Sequence, residues 1–504
     1  MAGTARTAGG LDGRMLFALI AVLALAWAAI SALSTGSGAI HEDMAEAYVW
    51  GSHFEWGYYK HPPLWAWIAG AWFRVLPREA WAFALLCALN SAIGLAGAWR
   101  LIGLFAVGEK RLAAFLLLLV TPFYAFNAFV FNANAIFISL WPWTAFAFVR
   151  AIETRRFWPA VLFGVLAGAD MMAKYYAVLL LAGCVAAAAA HPKARAYFAS
   201  PSPYVSVAVA GLVFAPHVVW LVETGFLPFH YLGGESGHGI GYSLGTAAKL
   251  FFGDTALLGG VIALVLFAAR KSLRRIPSRL RRLVADPRLR LMAILTFVPF
   301  ALTLLFGLIF QLKLSTNWTI GVFPLFPLLL VEIAAPPDLR GLARTAGALG
   351  ILIAAVALLA APFAPAFSRA AKDNQPRREA VAAANALWRT RTATPLRVVG
   401  GDETYGDAAG FYSPDRPSVF IRFDPRTSPW IDARALSIFG GFLALCPAKD
   451  TACIAGAARY ANAETTWTRI DVAHQTPFGS KPTQSFLVAV TPPLRDKPIP
   501  PPRP

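Results

Sequence analysis

The sequence predicts a polytopic α-helical membrane protein with a small α/β domain towards its carboxyl end. Of the 504 residues, 57% are hydrophobic and only 14% carry a charge, and the mean hydropathy is +0.56. Many apolar runs approach the roughly 20 residues that a helix needs to cross about 30 Å of hydrocarbon. The runs are continuous and rich in Ala and Leu, whereas the strands of a membrane β-barrel alternate in polarity. Membrane-spanning helices are therefore predicted.

The positive charge of the chain is concentrated in short loops between the apolar runs. A net charge of +18 could indicate a nucleic-acid partner, but the densest basic segment is RKSLRRIPSRLRRLVADPRLR (270–290), between two apolar runs. Loops rich in Lys and Arg are typical of the cytoplasmic side of a membrane protein. The pattern therefore favours a membrane topology and no nucleic-acid partner.

We predict about eleven crossings, arranged so that every arginine-rich loop is cytoplasmic. The segment 1–14 carries two arginines, Arg6 and Arg14, and is expected to remain in the cytoplasm, and the first helix is expected to be retained because no clear cleavage site precedes the charged stretch. The first outer loop spans 35–78, and within it the short, Trp-rich segment 62–77 is expected to lie in the outer interface as an amphipathic helix. The expected crossings are 15–34, 79–105, 112–126, 134–150, 157–171, 175–190, 204–222, 246–269, 291–311, 318–335 and 345–367.

From Lys372 onward the composition is that of a soluble domain. The transmembrane region is predicted to span 15–370, an extracytoplasmic α/β domain 371–491 and a Pro-rich tail 492–504. Helices are expected over PRREAVAAANALWRT and TACIAGAARYA, and strands over LRVVGG, SVFIRFD, FLALCP, TWTRIDV and SFLVAVT. No catalytic fingerprint is found there, so a cover or recognition lid is the favoured role. If the domain lies outside the cytoplasm, Cys446 and Cys453 could form a disulfide.

The densest cluster of titratable and aromatic residues is HEDMAEAYVWGSHFEWGYYKHPP (41–63), in the first outer loop. Asp43 and Glu46 are three residues apart and would share one face of a helix. One of them could act as general base towards a sugar or lipid hydroxyl. Alternatively, they could bind a divalent cation together with Glu55 or a histidine, or favour the start of a helix through its macrodipole.

Cationic and aromatic side chains follow in the same loop. Lys60 and His61 precede Pro62-Pro63, which stiffens the backbone, so a fixed lysine could bind a phosphate group at the membrane surface. The alternative is contact with lipid headgroups. Tyr58 and Tyr59 offer aromatic faces that suit a sugar.

Other candidates come from segments that are predicted to be extracytoplasmic. Lys174 lies between two apolar runs in GADMMAKYYAVLL and could form an anion site or pair with Asp170, four residues earlier. Weaker candidates for substrate binding lie in two outer loops: His230, Glu235 and His238 in a Gly-rich loop, and Lys313, Asn317 and Trp318 in a later turn.

The segment EAYVW…GYYKHPPLWAW, preceded by acidic residues, resembles the membrane-integral glycosyltransferases that use polyprenyl-phosphate sugars. The chain is similar to glycosyltransferase family 39, the protein O-mannosyltransferase-like superfamily whose bacterial relatives include the lipid A aminoarabinose transferases. The resemblance covers about residues 10–370 and is strongest over 41–77. Residues 164–176, GVLAGADMMAKYY, are a further family feature.

This resemblance implies a GT-C fold and inverting transfer from a polyprenyl-phosphate sugar, with an aspartate of the first outer loop as general base. Asp43 is the expected base. Many relatives have adjacent Asp-Glu before Ala-Tyr, whereas here Ala45 precedes Glu46, so Glu46 is the alternative. Lys60 and Lys174 match positions suited to the lipid phosphate, and a divalent cation is a possible cofactor.

The expected function is a transferase of the bacterial inner membrane with its active site on the periplasmic side. The acceptor would be lipid A or core, another glycan, or a protein. Two other classes compete with this interpretation: a transporter or flippase of lipid-linked sugars, and a non-catalytic assembly factor whose C-terminal domain recruits partners. A transporter would require charged residues near the bilayer midplane and broken helices in related halves, and neither is evident in the sequence.

Overall fold

The computed structural model describes residues 13–35, 38–234, 236–364, 375–476, 479–480 and 483–494. Four sequence predictions fall partly or wholly on other residues: the start of the cytoplasmic segment, Glu235, the end of the last crossing, and positions 495–504 of the Pro-rich tail. These lie outside the described residues. The predicted boundary between 370 and 371 does so too, and the domain division stays a prediction.

The described chain is mostly helical, which confirms the predicted multi-pass membrane class. Six of its helices are long and apolar enough to cross a membrane, namely Gly13–Thr35, Ala80–Ile102, Ser202–Glu223, Ile240–Ala268, Pro287–Ile309 and Leu339–Phe363. The shorter apolar helices are Phe157–Ala173 and Ala177–Ala189. The number of eleven crossings stays a prediction.

The remaining helices lie in the segments between these spans. In the first outer loop they are Glu42–Gly51 and Leu64–Val75, the second within the predicted interfacial segment. The others before the C-terminal region are Gly108–Leu118, Phe137–Thr154, Ala194–Phe198, Leu227–Gly234, Ile276–Leu280, Arg282–Ala285 and Phe326–Ala334.

Three predicted elements differ from the structure. The predicted helix 112–126 ends at Leu118 and is followed by two 3-10 turns, since Pro122 cannot continue the hydrogen-bond ladder. The predicted helix 318–335 is reduced to Phe326–Ala334, which begins with a proline in its first turn. The Gly-rich outer loop instead contains the helix Leu227–Gly234, and the next helix already begins at Ile240.

Close helix packing fixes the segment that carries Lys174. A Cβ atom added at Gly164 would lie 2.6 Å from the carbonyl oxygen of Ser206, and one added at Gly168 would lie 2.6 Å from the Val213 side chain. Only glycine therefore permits this approach between Phe157–Ala173 and Ser202–Glu223. The Ser206 hydroxyl also donates to the carbonyl of Ala160, at 2.9 Å.

Contacts divide the chain into two compact units. The helical unit comprises Met1–Ala28, Lys60–Leu64 and Leu85–Ala357. The loop–sheet unit comprises Ala29–Tyr59, Trp65–Ala84 and Leu358–Pro504. Most of the first outer loop thus belongs with the C-terminal region.

The C-terminal region contains the predicted α/β fold. Its strands are β1 (Val398–Gly401), β2 (Ser418–Ile421), β3 (Phe442–Pro447), β4 (Thr466–Val472), β5 (Gln475–Thr476), β6 (Gly479–Ser480) and β7 (Gln484–Thr491). Five form one sheet in the order β2-β1-β3-β7-β4, and β5 pairs with β6. β1 is parallel to β2 and β3, whereas β7 is antiparallel to β3 and β4.

Among the described residues of this region, four helices accompany the sheet: Arg377–Arg391, Glu403–Tyr412, Ala433–Phe439 and Thr451–Ala458. The predicted disulfide is present. It joins Cys446, near the end of β3, to Cys453 in the helix Thr451–Ala458, with the two Cα atoms 5.7 Å apart.

Candidate active site

The helical unit brings Lys60, His61 and Lys174 together, and we call these three residues the cationic cluster. The Lys174 ammonium donates a hydrogen bond of 2.6 Å to Oδ1 of Asn134. Its Nζ also lies 5.0 Å from the centroid of the Trp318 ring. These contacts hold the ammonium in one position.

Local backbone structure places both parts of the cluster. Lys174 directly follows the helix Phe157–Ala173 and has an extended backbone, with φ −165° and ψ 143°. Its side chain therefore does not follow the spacing of the helical residues before it. Lys60 and His61 precede two prolines and the start of the helix Leu64–Val75. The Lys60 Nζ lies 5.8 Å from the centroid of the Tyr231 ring, within the range of a cation–π contact.

His61 reports the electrostatics of the cluster. Burial and the positive charges of Lys174 and Lys60 hold the pKa of His61 well below its usual range. The imidazole is therefore neutral at pH 7, while both lysines are close enough to influence it. Two ammonium groups beside a neutral imidazole, which can donate one N–H, form a site suited to an anion.

The loop–sheet unit holds Asp43 and Glu46 on the helix Glu42–Gly51, which we call the acidic helix. His41 caps this helix, since its Nδ1 accepts a hydrogen bond of 3.2 Å from the backbone N–H of Asp43. The same nitrogen lies 3.8 Å from a carboxylate oxygen of Asp43. Asp43 is partly exposed, whereas Glu46 is buried. Asp43 is thus the more accessible of the two carboxylates.

Aromatic packing and Arg78 anchor the acidic helix to the C-terminal region. The Tyr48 ring packs edge-on against Phe73 and Phe411, at centroid distances of 5.5 and 5.3 Å. The Arg78 guanidinium donates to the carbonyls of Phe411, at 2.8 Å, and of Ser413, at 3.1 Å. The Thr404 hydroxyl also donates to Glu42, at 3.3 Å. The position of the acidic helix therefore depends on residues more than 300 positions later in the sequence.

The two tyrosines of the loop make buried contacts inside this unit. Tyr58 stacks on Trp50 at 4.6 Å and donates its hydroxyl to the Trp50 carbonyl at 2.6 Å. Burial raises the pKa of Tyr58 well above its usual value. Tyr59 donates to the carboxylate of Glu403, which also pairs with Arg422 at 3.1 Å. Both tyrosines are nearly inaccessible to solvent.

His53 is also a packing residue. Its ring stacks on Trp430 with centroids 4.4 Å apart and an angle of 4° between the planes. Burial lowers the pKa of His53 to about 4, so the ring is neutral at pH 7.

Several weaker candidates lie apart from the cationic cluster. His230 and Lys313 are exposed, and the ring of His230 contacts the carbonyl of Gly225 at 3.1 Å. Neither makes a hydrogen bond or ion pair with the cluster among the described residues. Lys174 likewise forms no ion pair with Asp170 within the described part of the chain, since neither Asp170 carboxylate oxygen has a hydrogen-bond partner there.

Sequence reasoning missed some of the supporting residues. Asn134 belongs to the polar triplet Asn-Ala-Asn in an apolar turn, and that polarity was a usable signal. Nothing in the sequence indicated the roles of Tyr231 and Glu403, because their partners Lys60 and Tyr59 are distant along the chain. The same holds for Arg422, which pairs with Glu403. The part of the chain that the structure describes contains no group of three or more His, Cys, Asp or Glu placed to hold a metal ion. The divalent cation stays a prediction.

The residues of the cationic cluster lie in the part of the sequence that matches a known protein family. Residues 60–220 match the family model of dolichyl-phosphate-mannose-protein mannosyltransferases. Lys60, His61 and Lys174 lie within this range, whereas Asp43 and Glu46 precede it. A sequence search of curated proteins finds no match.

Solved structures resemble this chain at low sequence identity. ArnT from Cupriavidus metallidurans bound to undecaprenyl phosphate has a TM-score of 0.59 and 13% identity, over 95% of this chain and 98% of that chain. The apo state of ArnT has a TM-score of 0.59 and 14% identity, over 94% of this chain and 97% of that chain. The apo oligosaccharyltransferase of Archaeoglobus fulgidus has a TM-score of 0.45 and 12% identity, over 91% of this chain and 70% of that chain. The predicted resemblance is therefore confirmed: the chain is similar to the mannosyltransferase family over residues 60–220 and has the GT-C fold of ArnT.

Proposed function

We propose that this chain is an integral membrane glycosyltransferase that takes a sugar from a polyprenyl-phosphate donor and passes it to an extracytoplasmic lipid, glycan or protein. The observation that carries the proposal is the cationic cluster, whose two lysines and neutral histidine suit a phosphate group. The ArnT crystal structure with the same fold has undecaprenyl phosphate bound, and this supports a donor of that class.

In this proposal Lys60 and Lys174 bind the donor phosphate. The polyprenyl phosphate leaves as an anion, so positive charge fixed beside it stabilises the charge that develops in the transition state. Lys174 is already oriented by Asn134 and Trp318. A pre-oriented ammonium loses little conformational entropy when it binds a ligand. His61 is neutral and can donate one N–H to a phosphate oxygen.

A carboxylate of the acidic helix is the proposed general base, and the transfer is a single displacement with inversion. The acceptor oxygen forms a bond to the anomeric carbon while the bond from that carbon to the phosphate oxygen breaks. The phosphate keeps the electron pair, and the carboxylate takes the acceptor proton. Asp43 is preferred because its side chain is more accessible than that of Glu46, and Glu46 remains the alternative.

The buried tyrosines have a supporting role in this scheme. The hydroxyl groups of Tyr58 and Tyr59 are engaged with Trp50 and Glu403, so we propose that they hold the loop that leads into Lys60. His230 and Lys313 are proposed only as outer contacts for the substrate, because both are exposed.

We further propose that the protein lies in the bacterial inner membrane, with its C-terminal domain and active site in the periplasm. A disulfide such as Cys446–Cys453 persists in oxidising compartments. The arginine-rich segment 270–290 has the composition of a cytoplasmic loop. In this topology the C-terminal region and the first outer loop are on the same side of the membrane.

The test is transfer of radiolabelled sugar from a panel of polyprenyl-phosphate donors to an envelope extract, with purified wild type, Asp43→Asn and Glu46→Gln in parallel. Loss of transfer in Asp43→Asn alone supports Asp43 as base, and loss in Glu46→Gln alone moves the role to Glu46. If the protein moves intact sugar-lipid across the membrane of vesicles but transfers sugar from no donor, a flippase would be favoured instead.

A further inference from the structure

A polar cavity lies within the helical unit, at the end of the helix Phe157–Ala173 opposite to Lys174. Its volume is about 630 Å³, and its lining includes Arg150, Glu153, Lys193 and Arg288. Arg150 lies in the last turns of the helix Phe137–Thr154, directly before the start of Phe157–Ala173. Lys174 follows the far end of that second helix, about 25 Å away at 1.5 Å per residue. The cavity is therefore distinct from the cationic cluster.

The basic side chains of this cavity come from three separate segments. Arg150 lies near the end of one helix, Lys193 precedes the short helix Ala194–Phe198, and Arg288 lies in the first turn of Pro287–Ile309. The guanidinium groups of Arg150 and Arg288 make no hydrogen bond or ion pair with any residue that the structure describes. Two exposed guanidinium groups therefore line one concavity.

The acidic groups of the cavity are already engaged. Glu153 pairs with Lys193 at 2.5 Å and with Nε2 of His191 at 3.2 Å. Asp286 accepts a hydrogen bond of 2.8 Å from the backbone N–H of Arg288 and caps its helix. Neither carboxylate is paired with the guanidinium groups, so these can bind an external anion.

Apolar residues complete the wall and match an amphipathic ligand. Leu104, Phe105, Val149 and Leu291 line the same cavity. The basic residues belong to segments that the charge pattern predicts to be cytoplasmic, the leaflet in which basic pockets between transmembrane helices bind anionic headgroups. The combination of charge, apolar wall and position favours a lipid over a soluble anion.

We propose that this cavity binds the phosphate group of an anionic membrane lipid, with Arg150 and Arg288 contacting the phosphate and the apolar wall contacting the first carbons of the acyl chains. Guanidinium groups suit this ligand because their planar N–H pairs match phosphate oxygens. This site is independent of the proposed transferase reaction.

The experiment follows the thermal unfolding of the full-length protein in detergent during titration with dioctanoyl phosphatidylglycerol. Dioctanoyl phosphatidylcholine and inorganic phosphate are titrated in parallel. Wild type is compared with the double variant Arg150→Gln/Arg288→Gln. The matched control is Arg155→Gln/Arg156→Gln, which removes the same charge from neighbouring exposed positions outside the cavity.

We expect saturable stabilisation of wild type and of the control by phosphatidylglycerol, and binding about 25-fold weaker in the Arg150/Arg288 variant, at roughly fivefold for each arginine. Equal stabilisation by inorganic phosphate would keep the anion site but identify its occupant as free phosphate. Equal binding of phosphatidylglycerol and phosphatidylcholine, or equal losses in both double variants, would overturn the proposal. If the double variant does not fold, the single variants each provide the fivefold test.

Discussion

Replacing Lys174 with methionine tests the donor site most sharply. Methionine is unbranched, is one atom shorter than lysine and carries no charge. A unit charge about 4 Å from a phosphate at an effective dielectric constant of 20 gains roughly 4 kcal/mol before desolvation. Lys174 is half-buried, so desolvation offsets part of that gain. A charge-assisted hydrogen bond contributes about 1.5–3 kcal/mol net. Because about 1.4 kcal/mol is a factor of ten, the affinity for polyprenyl phosphate should fall roughly 10- to 150-fold.

The assay is equilibrium binding of radiolabelled polyprenyl phosphate to purified protein in detergent. Lys249→Met is the matched control, since Lys249 is an exposed lysine of the same unit. Loss of the charge-assisted hydrogen bond from Lys174 to Asn134 should cost about 1.5–3 kcal/mol of stability, so thermal unfolding of Lys174→Met is measured first to show that the variant is folded. Affinity within twofold of wild type for Lys174→Met would refute the assignment of this lysine to the donor phosphate.

Three further predictions concern charge and stability. Arg78→Gln removes donors to three backbone carbonyls and should destabilise the protein by about 2 kcal/mol in thermal unfolding; exposed Arg434→Gln should not. Burial raises the pKa of Asp402 to about 6, so the contribution of this carboxyl to stability is greatest below the ordinary aspartate pKa and is lost as pH rises through about 6. Asp402 caps the helix Glu403–Tyr412 by accepting a hydrogen bond from the backbone N–H of Tyr405. Asp402→Asn, which keeps an acceptor oxygen for this cap, should remove the fall in unfolding scans from pH 4 to 7. Burial is the main cause of the low pKa of His61, and a bound phosphate offsets only the smaller effect of the lysine charges, so the imidazole should stay neutral and the heat of donor binding at pH 6 should be the same in two buffers of different ionisation enthalpy; a buffer dependence that is absent in His61→Asn would contradict this.

Local signals in the sequence were enough for much of the fold. Helix-length apolar runs predicted the membrane class, and β-branched strands predicted the C-terminal sheet, because both patterns depend on neighbouring residues. The helix Leu64–Val75 begins directly after the two prolines that follow His61, within the predicted interfacial segment. Apolar content predicted helices that were too long where prolines interrupt the apolar runs. The segments after Leu118 and before Phe326 are as apolar as helices but form turns.

The site was harder to predict because its contacts are long-range. The pairing of Tyr59 with Glu403 joins residues 344 positions apart, and no periodicity relates them. The bond between Lys174 and Asn134 joins the residue after the helix Phe157–Ala173 to a turn before the helix Phe137–Thr154, and no sequence spacing relates the two. The alternative of an Asp170–Lys174 pair rested on helical spacing, but Lys174 is extended rather than helical, so that spacing does not apply.

The proposed transfer reaction is best tested by following the fate of the donor with purified protein. A polyprenyl-phosphate sugar labelled in the sugar is incubated with the wild-type protein and an envelope-lipid acceptor extract, and free polyprenyl phosphate is measured by mass spectrometry. We expect one free polyprenyl phosphate for each labelled sugar found in acceptor, with both products lost in Lys174→Met at donor concentrations below wild-type saturation. Recovery of intact donor with no labelled acceptor, across the whole donor panel, would contradict the proposed glycosyltransferase activity.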